Sequence, residues 1–146
     1  MKVFQIYIHL NTTKPFQLFS ITKQVEQVLV NSGVTNGTCT LFIPHSTAGV
    51  RLNDNDPLLH QDAMKMFYRL APLDITYGHD SFEARNNVAP SERSNGHAHV
   101  KSMLAGSSET IPVINGRLEL GEHQDIFFVD FDGPRARKVH LTVMGE

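Results

Sequence analysis

Thr110-Ile111-Pro112-Val113-Ile114-Asn115-Gly116-Arg117-Leu118-Glu119-Leu120 reads as two short strands, Thr110 to Ile114 and Arg117 to Leu120, folded about Asn-Gly. A two-residue hairpin loop needs positive φ at both central positions, and Asn-Gly supplies them with little strain. Further on, Asp125 to Phe131 and Lys138 to Met144 form strands on either side of Asp132-Gly133-Pro134. The last third of the chain is therefore β. At the other end, Phe4, Ile6, Ile8 and Leu10 alternate with Gln5, Tyr7 and His9, the period of a half-buried strand. Asn11 to Pro15 is a turn, Gly37 to Ile43 a buried strand, and Gly49 to Leu52 a short further strand.

Helices fill the middle. Thr22 is placed to cap a helix with Val25, Val28 and Leu29 on its apolar face and Ser32-Gly33 at its end. Asp56-Pro57 is a helix start, with Asp as N-cap and Pro in the first turn. Leu59, Ala63, Met66, Phe67 and Leu70 follow at helical spacing, until Pro72. His97 to Ala105 predicts a third, short helix. Residues 74–96 carry no periodicity, and a loop of that length in a compact domain is functional or disordered. The order of strands, helices and then sequential strands predicts one α+β domain over residues 1–146, with a mostly antiparallel sheet and two or three helices on one face.

Composition narrows the function classes. The chain is 40% hydrophobic and 19% charged, with a formal net charge of −2. No basic field points to nucleic acid. No apolar run is long enough to span a bilayer, and the N-terminus lacks the apolar core of a signal peptide, so no membrane role and a cytoplasmic location are expected. The single cysteine, Cys39, lies in an apolar run and reads as a small buried hydrophobe.

Three constellations carry chemistry. His45, His79 and His99 fall at ends of regular elements, where loops could bring them to one divalent metal ion, zinc above all. None has the spacing of a helical zinc motif, so three separate polar residues is the alternative. His97 competes with His99, since two residues apart on a helix they point in different directions. Asn53-Asp54-Asn55-Asp56 precedes a helix. Asn53 and Asp54 are candidates to orient or deprotonate a reactant, and Asp62, one turn into the helix, to support a histidine; turn and helix-start bonding would explain the same residues. Ser108, Arg135 and Arg137 are candidates for phosphate oxygens, against a reading as a tight turn with solvated basic residues.

Taken together, these motifs resemble the YjbQ family of secondary thiamine-phosphate synthase enzymes. The likeness runs through Pro44-His45-Ser46-Thr47-Ala48-Gly49-Val50, Asn53-Asp54-Asn55-Asp56-Pro57, Asp62, Tyr77-Gly78-His79 and Ala98-His99-Val100-Lys101. It continues in Gly106-Ser107-Ser108, Gly116-Arg117-Leu118, Gln124 and Asp132-Gly133-Pro134-Arg135-Ala136-Arg137. The resemblance implies an α+β fold assembling as a homotrimer, and a divalent metal, usually zinc, on His45, His79 and His99. It further implies an activity that joins hydroxymethylpyrimidine diphosphate to a thiazole phosphate, so a small phosphorylated molecule is the expected partner. A zinc-dependent hydrolase using Asp54 or Asp62 as base, and a non-catalytic trimeric anion-binding protein, are the alternatives. The chain departs from the family where Asp54 replaces the usual Glu and His123 the usual Trp, and its loop from Asp80 to Gly96 is longer.

Overall fold

The alternating segments at the two ends of the chain pair with each other. The computed structural model describes every residue, Met1–Glu146. β1 (Lys2–Asn11) runs antiparallel to β8 (Ala136–Gly145) along its whole length, with Ile6 opposite Leu141. β3 (Gly37–Phe42) joins the other side of β8, and β5 (Ser108–Ile114) pairs with β3. β6 (Arg117–Leu118) closes the hairpin on β5, giving the order β1-β8-β3-β5-β6. Asn115 and Gly116 both have positive φ, 51° and 73°, as the Asn-Gly turn requires.

A second antiparallel sheet has the order β2-β7-β4, from β2 (Gln17–Ser20), β7 (Asp125–Asp130) and β4 (Ala48–Asn53). The expected antiparallel sheet is thus divided in two. β7 explains the division. Its run Ile126-Phe127-Phe128-Val129 has no polar face because both faces are covered. Ile126 and Phe128 join a core with Val25, Val28 and Leu29 of α1 (Thr22–Ser32) and with the inner side chains of β3 and β8. Phe127 and Val129 belong to a smaller core with Phe67 of α2 (Pro57–Leu70) and Ala98 and Ala105 of α3 (Gly96–Ala105).

Several local expectations are corrected. β2 was not foreseen, being four half-buried residues just after Pro15. Thr22 does not cap α1. The helix begins from Ile21 without a side-chain cap, while the Thr22 hydroxyl bonds the Asp125 carboxylate and accepts the Ile126 N–H at 2.8 Å. The strand expected to reach Leu120 stops at Leu118. The long loop holds two single-turn 3-10 helices, Gly78–Asp80 and Phe82–Ala84. Asp56 does cap α2, accepting the Leu58 N–H at 2.9 Å. No helix is long and apolar enough to cross a membrane.

Candidate functional site

His79 and His99 meet. Their rings lie edge to face, with centroids 4.3 Å apart. Two contacts bring the loop of one to the helix of the other. At Gly96 a Cβ would fall 2.5 Å from the Tyr77 Cβ, so only glycine lets the start of α3 lie against that tyrosine. The Gly96 N–H also donates to the Asp80 carboxylate at 2.9 Å. Tyr77 is itself tied to the end of α2, donating its hydroxyl to the Pro72 carbonyl at 2.6 Å. His79 is held from the other side by Arg85, whose Nη1 donates to the His79 carbonyl at 3.1 Å and lies 3.4 Å from both its Nε2 and the Glu92 carboxylate. The loop from 80 to 96 therefore folds back on His79. Burial, and then the neighbouring His79, push the His99 pKa down, which favours the neutral imidazole that binds metals.

His99 opens on a cavity of about 480 Å³ whose wall includes Ser46, Ser102 and Ser107. Ser107 lines it; Ser108, the expected phosphate ligand, is exposed at the start of β5 opposite Phe42. Ser107 lies in the bend just before β5, and a Gly-Ser-Ser motif alone does not resolve which serine turns to the cavity.

His45 has a different task. Its Nε2 accepts the Lys138 N–H of β8 at 2.9 Å, so the proton sits on Nδ1 and only that nitrogen remains open. Burial and then the Arg137 charge lower its pKa. Arg137 is also committed. Its Nε and Nη2 grip Asp130 at 3.0 and 2.7 Å, and Nη2 donates to the Thr47 hydroxyl at 2.7 Å. A bidentate grip on phosphate is closed to it, which corrects that expectation; the basic motif could not disclose a buried partner. Arg135 is partly exposed and pairs with Asp132 at 2.7 Å. Within the single chain no three His, Cys, Asp or Glu side chains are grouped to hold a metal ion, so His45 does not complete a set with His79 and His99.

His97 donates nothing to this site. Its Nδ1 meets the Lys101 ammonium at 2.8 Å. Lys101 is fully buried, donates to the Ala71 carbonyl at 2.6 Å and sits 4.3 Å from the centre of the Tyr68 ring. Burial lowers its pKa to about 8. Nothing in the Ala98-His99-Val100-Lys101 run marks the ammonium as buried. The lysine ties α3 to the end of α2. His123 is exposed in the turn before β7.

Asn53, Asp54 and Asp62 come together, but elsewhere. All three line a separate cavity beneath α2, of about 560 Å³. Leu104 and Ala105 of α3 face it, whereas His99, Ser102 and Met103 face the other cavity. At 100° per residue these sets are opposite faces of α3, so neither aspartate reaches the histidine pair within one chain.

The chain matches other proteins end to end. The family model described as UPF0047 protein YjbQ-like covers residues 6–146. A UPF0047 protein of Methanothermobacter thermautotrophicus is 36% identical over 100% of this chain and 95% of its own length. The UPF0047 protein YugU of Bacillus subtilis is 35% identical, over 94% of this chain and 97% of its own. Among solved structures, a YbjQ-like protein of unknown function from Sulfolobus solfataricus superposes with a TM-score of 0.90 at 32% identity, covering 99% of both chains. With the sequence motifs, the matched length and the fold in agreement, this chain belongs to the YjbQ-like UPF0047 family.

Proposed function

We propose that this protein is a metal-dependent enzyme acting on a small phosphorylated molecule, working as a homotrimer. The coupling of hydroxymethylpyrimidine diphosphate to a thiazole phosphate is the first reaction to assay. One observation carries the reading. Two imidazole rings meet with centroids 4.3 Å apart, and His99 also borders a cavity lined by Ser46, Ser102 and Ser107, of which the Ser102 hydroxyl is taken by the Ala48 carbonyl at 2.7 Å. His79 and His99 would hold the ion, with zinc the first candidate. They are two ligands of a set, and the single chain groups no third with them. A bound divalent ion would supply positive charge for phosphate oxygens. Ser46 and Ser107 of the cavity lining would donate to such oxygens, and Arg85 would hold the His79 loop beside the pair. The aspartates of the hydrolase reading lie in the other cavity, so the transferase reading is preferred.

The test begins with metal content, measured on tag-free protein by plasma mass spectrometry. About one zinc per chain, lost in His79→Ala and in His99→Ala, supports the site. Diphosphate release should then require both substrates together. Release of phosphate from one substrate alone would move the assignment to a hydrolase. No zinc in the protein, and none taken up when added, would leave a trimeric anion-binding protein as the better account.

A further inference from the structure

The cavity beneath α2 has a chemistry of its own. Only Phe67 of α2 is buried, so the helix covers the small sheet loosely. The space of about 560 Å³ between them is lined by ten hydrophobic residues out of fifteen, and its size falls among small-molecule sites, roughly 300–1,000 Å³. Leu18, Phe127 and Val129 supply the sheet side, and Ala63, Met66 and Leu70 the helix side. Charge gathers on one sign. Asp54 and Asp62 border the cavity, and neither has a cationic partner in the chain. Arg51, also at the cavity, is neutralised by Glu109 at 3.0 Å.

We propose that this cavity binds a small hydrophobic amine, its apolar body under α2 and its ammonium held by Asp54 and Asp62. An apolar body gains by leaving water in proportion to the area it buries. An ammonium would make charge-assisted hydrogen bonds to the carboxylates, while the Asn53 amide oxygen already accepts the Asp54 N–H at 2.8 Å and has one further lone pair to offer. An anion of the same shape meets two uncompensated negative charges and is rejected. The site is independent of the histidine pair, from which α3 separates it.

Phenylpropylamine, the alcohol phenylpropanol and phenylpropanoate are probes of one shape and three charges. Calorimetry and the methyl resonance of Met66 in labelled protein read their binding to the full chain. The amine should bind saturably and about tenfold more tightly than the alcohol, a difference of about 1.4 kcal/mol. The anion should bind weakest. In the Asp54→Asn/Asp62→Asn double variant the amine should fall to the affinity of the alcohol, with the alcohol unchanged. Leu104→Trp, at a half-exposed position on the cavity wall, should block all three probes while the urea midpoint is kept. Equal affinity for amine and alcohol, or a Met66 methyl that does not move, would overturn the proposal. So would a Leu104→Trp variant that loses its oligomeric state, with no amine binding in the wild type, because a second copy would then fill the cavity. Zinc content enters none of these readouts, so loss of the metal reading leaves this one standing.

Discussion

Arg137 and Asp130 form a two-point ion pair, Nε to Oδ2 at 3.0 Å and Nη2 to Oδ1 at 2.7 Å, with both side chains almost entirely out of water. Thr12 donates to the same carboxylate at 2.7 Å, and the Asp132 N–H at 2.9 Å. The pair fastens the Thr47 segment to β8, beside the His45 bond to Lys138. Removing one partner leaves the other charge buried. Arg137→Ala should therefore cost about 3–5 kcal/mol, measured as the shift in urea unfolding. Arg137→Lys should also destabilise, since an ammonium cannot reproduce the planar fork.

The same carboxylate sets a pH dependence. Burial alone would raise the Asp130 pKa, but the hydrogen bonds from Arg137, the Asp132 N–H and Thr12 outweigh it and hold the pKa below its usual value. Between the folded and unfolded pKa values the unfolded chain binds more protons, so stability rises with pH there. The contribution is complete above the unfolded carboxylate value of about 3.9 and is lost as pH falls through the folded one. Thermal midpoints taken from neutral pH downward should drop steeply in that acid range, and less steeply in Asp130→Asn.

Gly96 is the close-contact point between α3 and the His79 loop. Gly96→Ala puts a methyl where the Tyr77 side chain stands, and the loop must move. The expected cost is about 1–3 kcal/mol from overpacking. Zinc uptake should weaken at the same time, because His79 and His99 separate. Titration with zinc alongside urea unfolding distinguishes a displaced loop from a globally unfolded chain.

Asp56 is the only N-cap residue whose own side chain bonds its α-helix. Asp56→Ala should cost about 1 kcal/mol, seen as a lower urea midpoint with an unchanged slope. Zinc content should be unaffected, since α2 carries no member of the histidine pair.

Legibility followed the range of the interaction. Asn115-Gly116 and Asp56-Pro57 were readable because the residues that impose the turn and the cap are neighbours in sequence. β2 was not, because Gln17–Ser20 is a strand only through β7. Thr22 was misread for a related reason: a threonine before an apolar helix looks like a cap until β7 claims its hydroxyl. His79 and His99 bracket the long loop in sequence, and the folded loop brings their rings together. His45 was grouped with them on the same reasoning, yet Lys138 holds its Nε2. Arg137 and Lys101 show the largest gap. A sequence displays their charge but not their burial, and burial makes one a structural ion pair and the other a strap between helices.

The pairing of β1 with β8 also constrains how the chain is made. β8 lies between β1 and β3 in the larger sheet, so until β8 has been synthesised β3 is paired only with β5 and β1 has no strand partner at all. Until then the ten residues of β1 are unpaired on both edges, and Phe4, Ile8 and Leu10, which pack into the larger core in the folded chain, are available to other nascent chains. Assembly dominated by such distant pairings is slow and prone to intermolecular association. The yield of soluble protein should therefore depend on translation speed and chaperone supply more than on the stability of the finished fold.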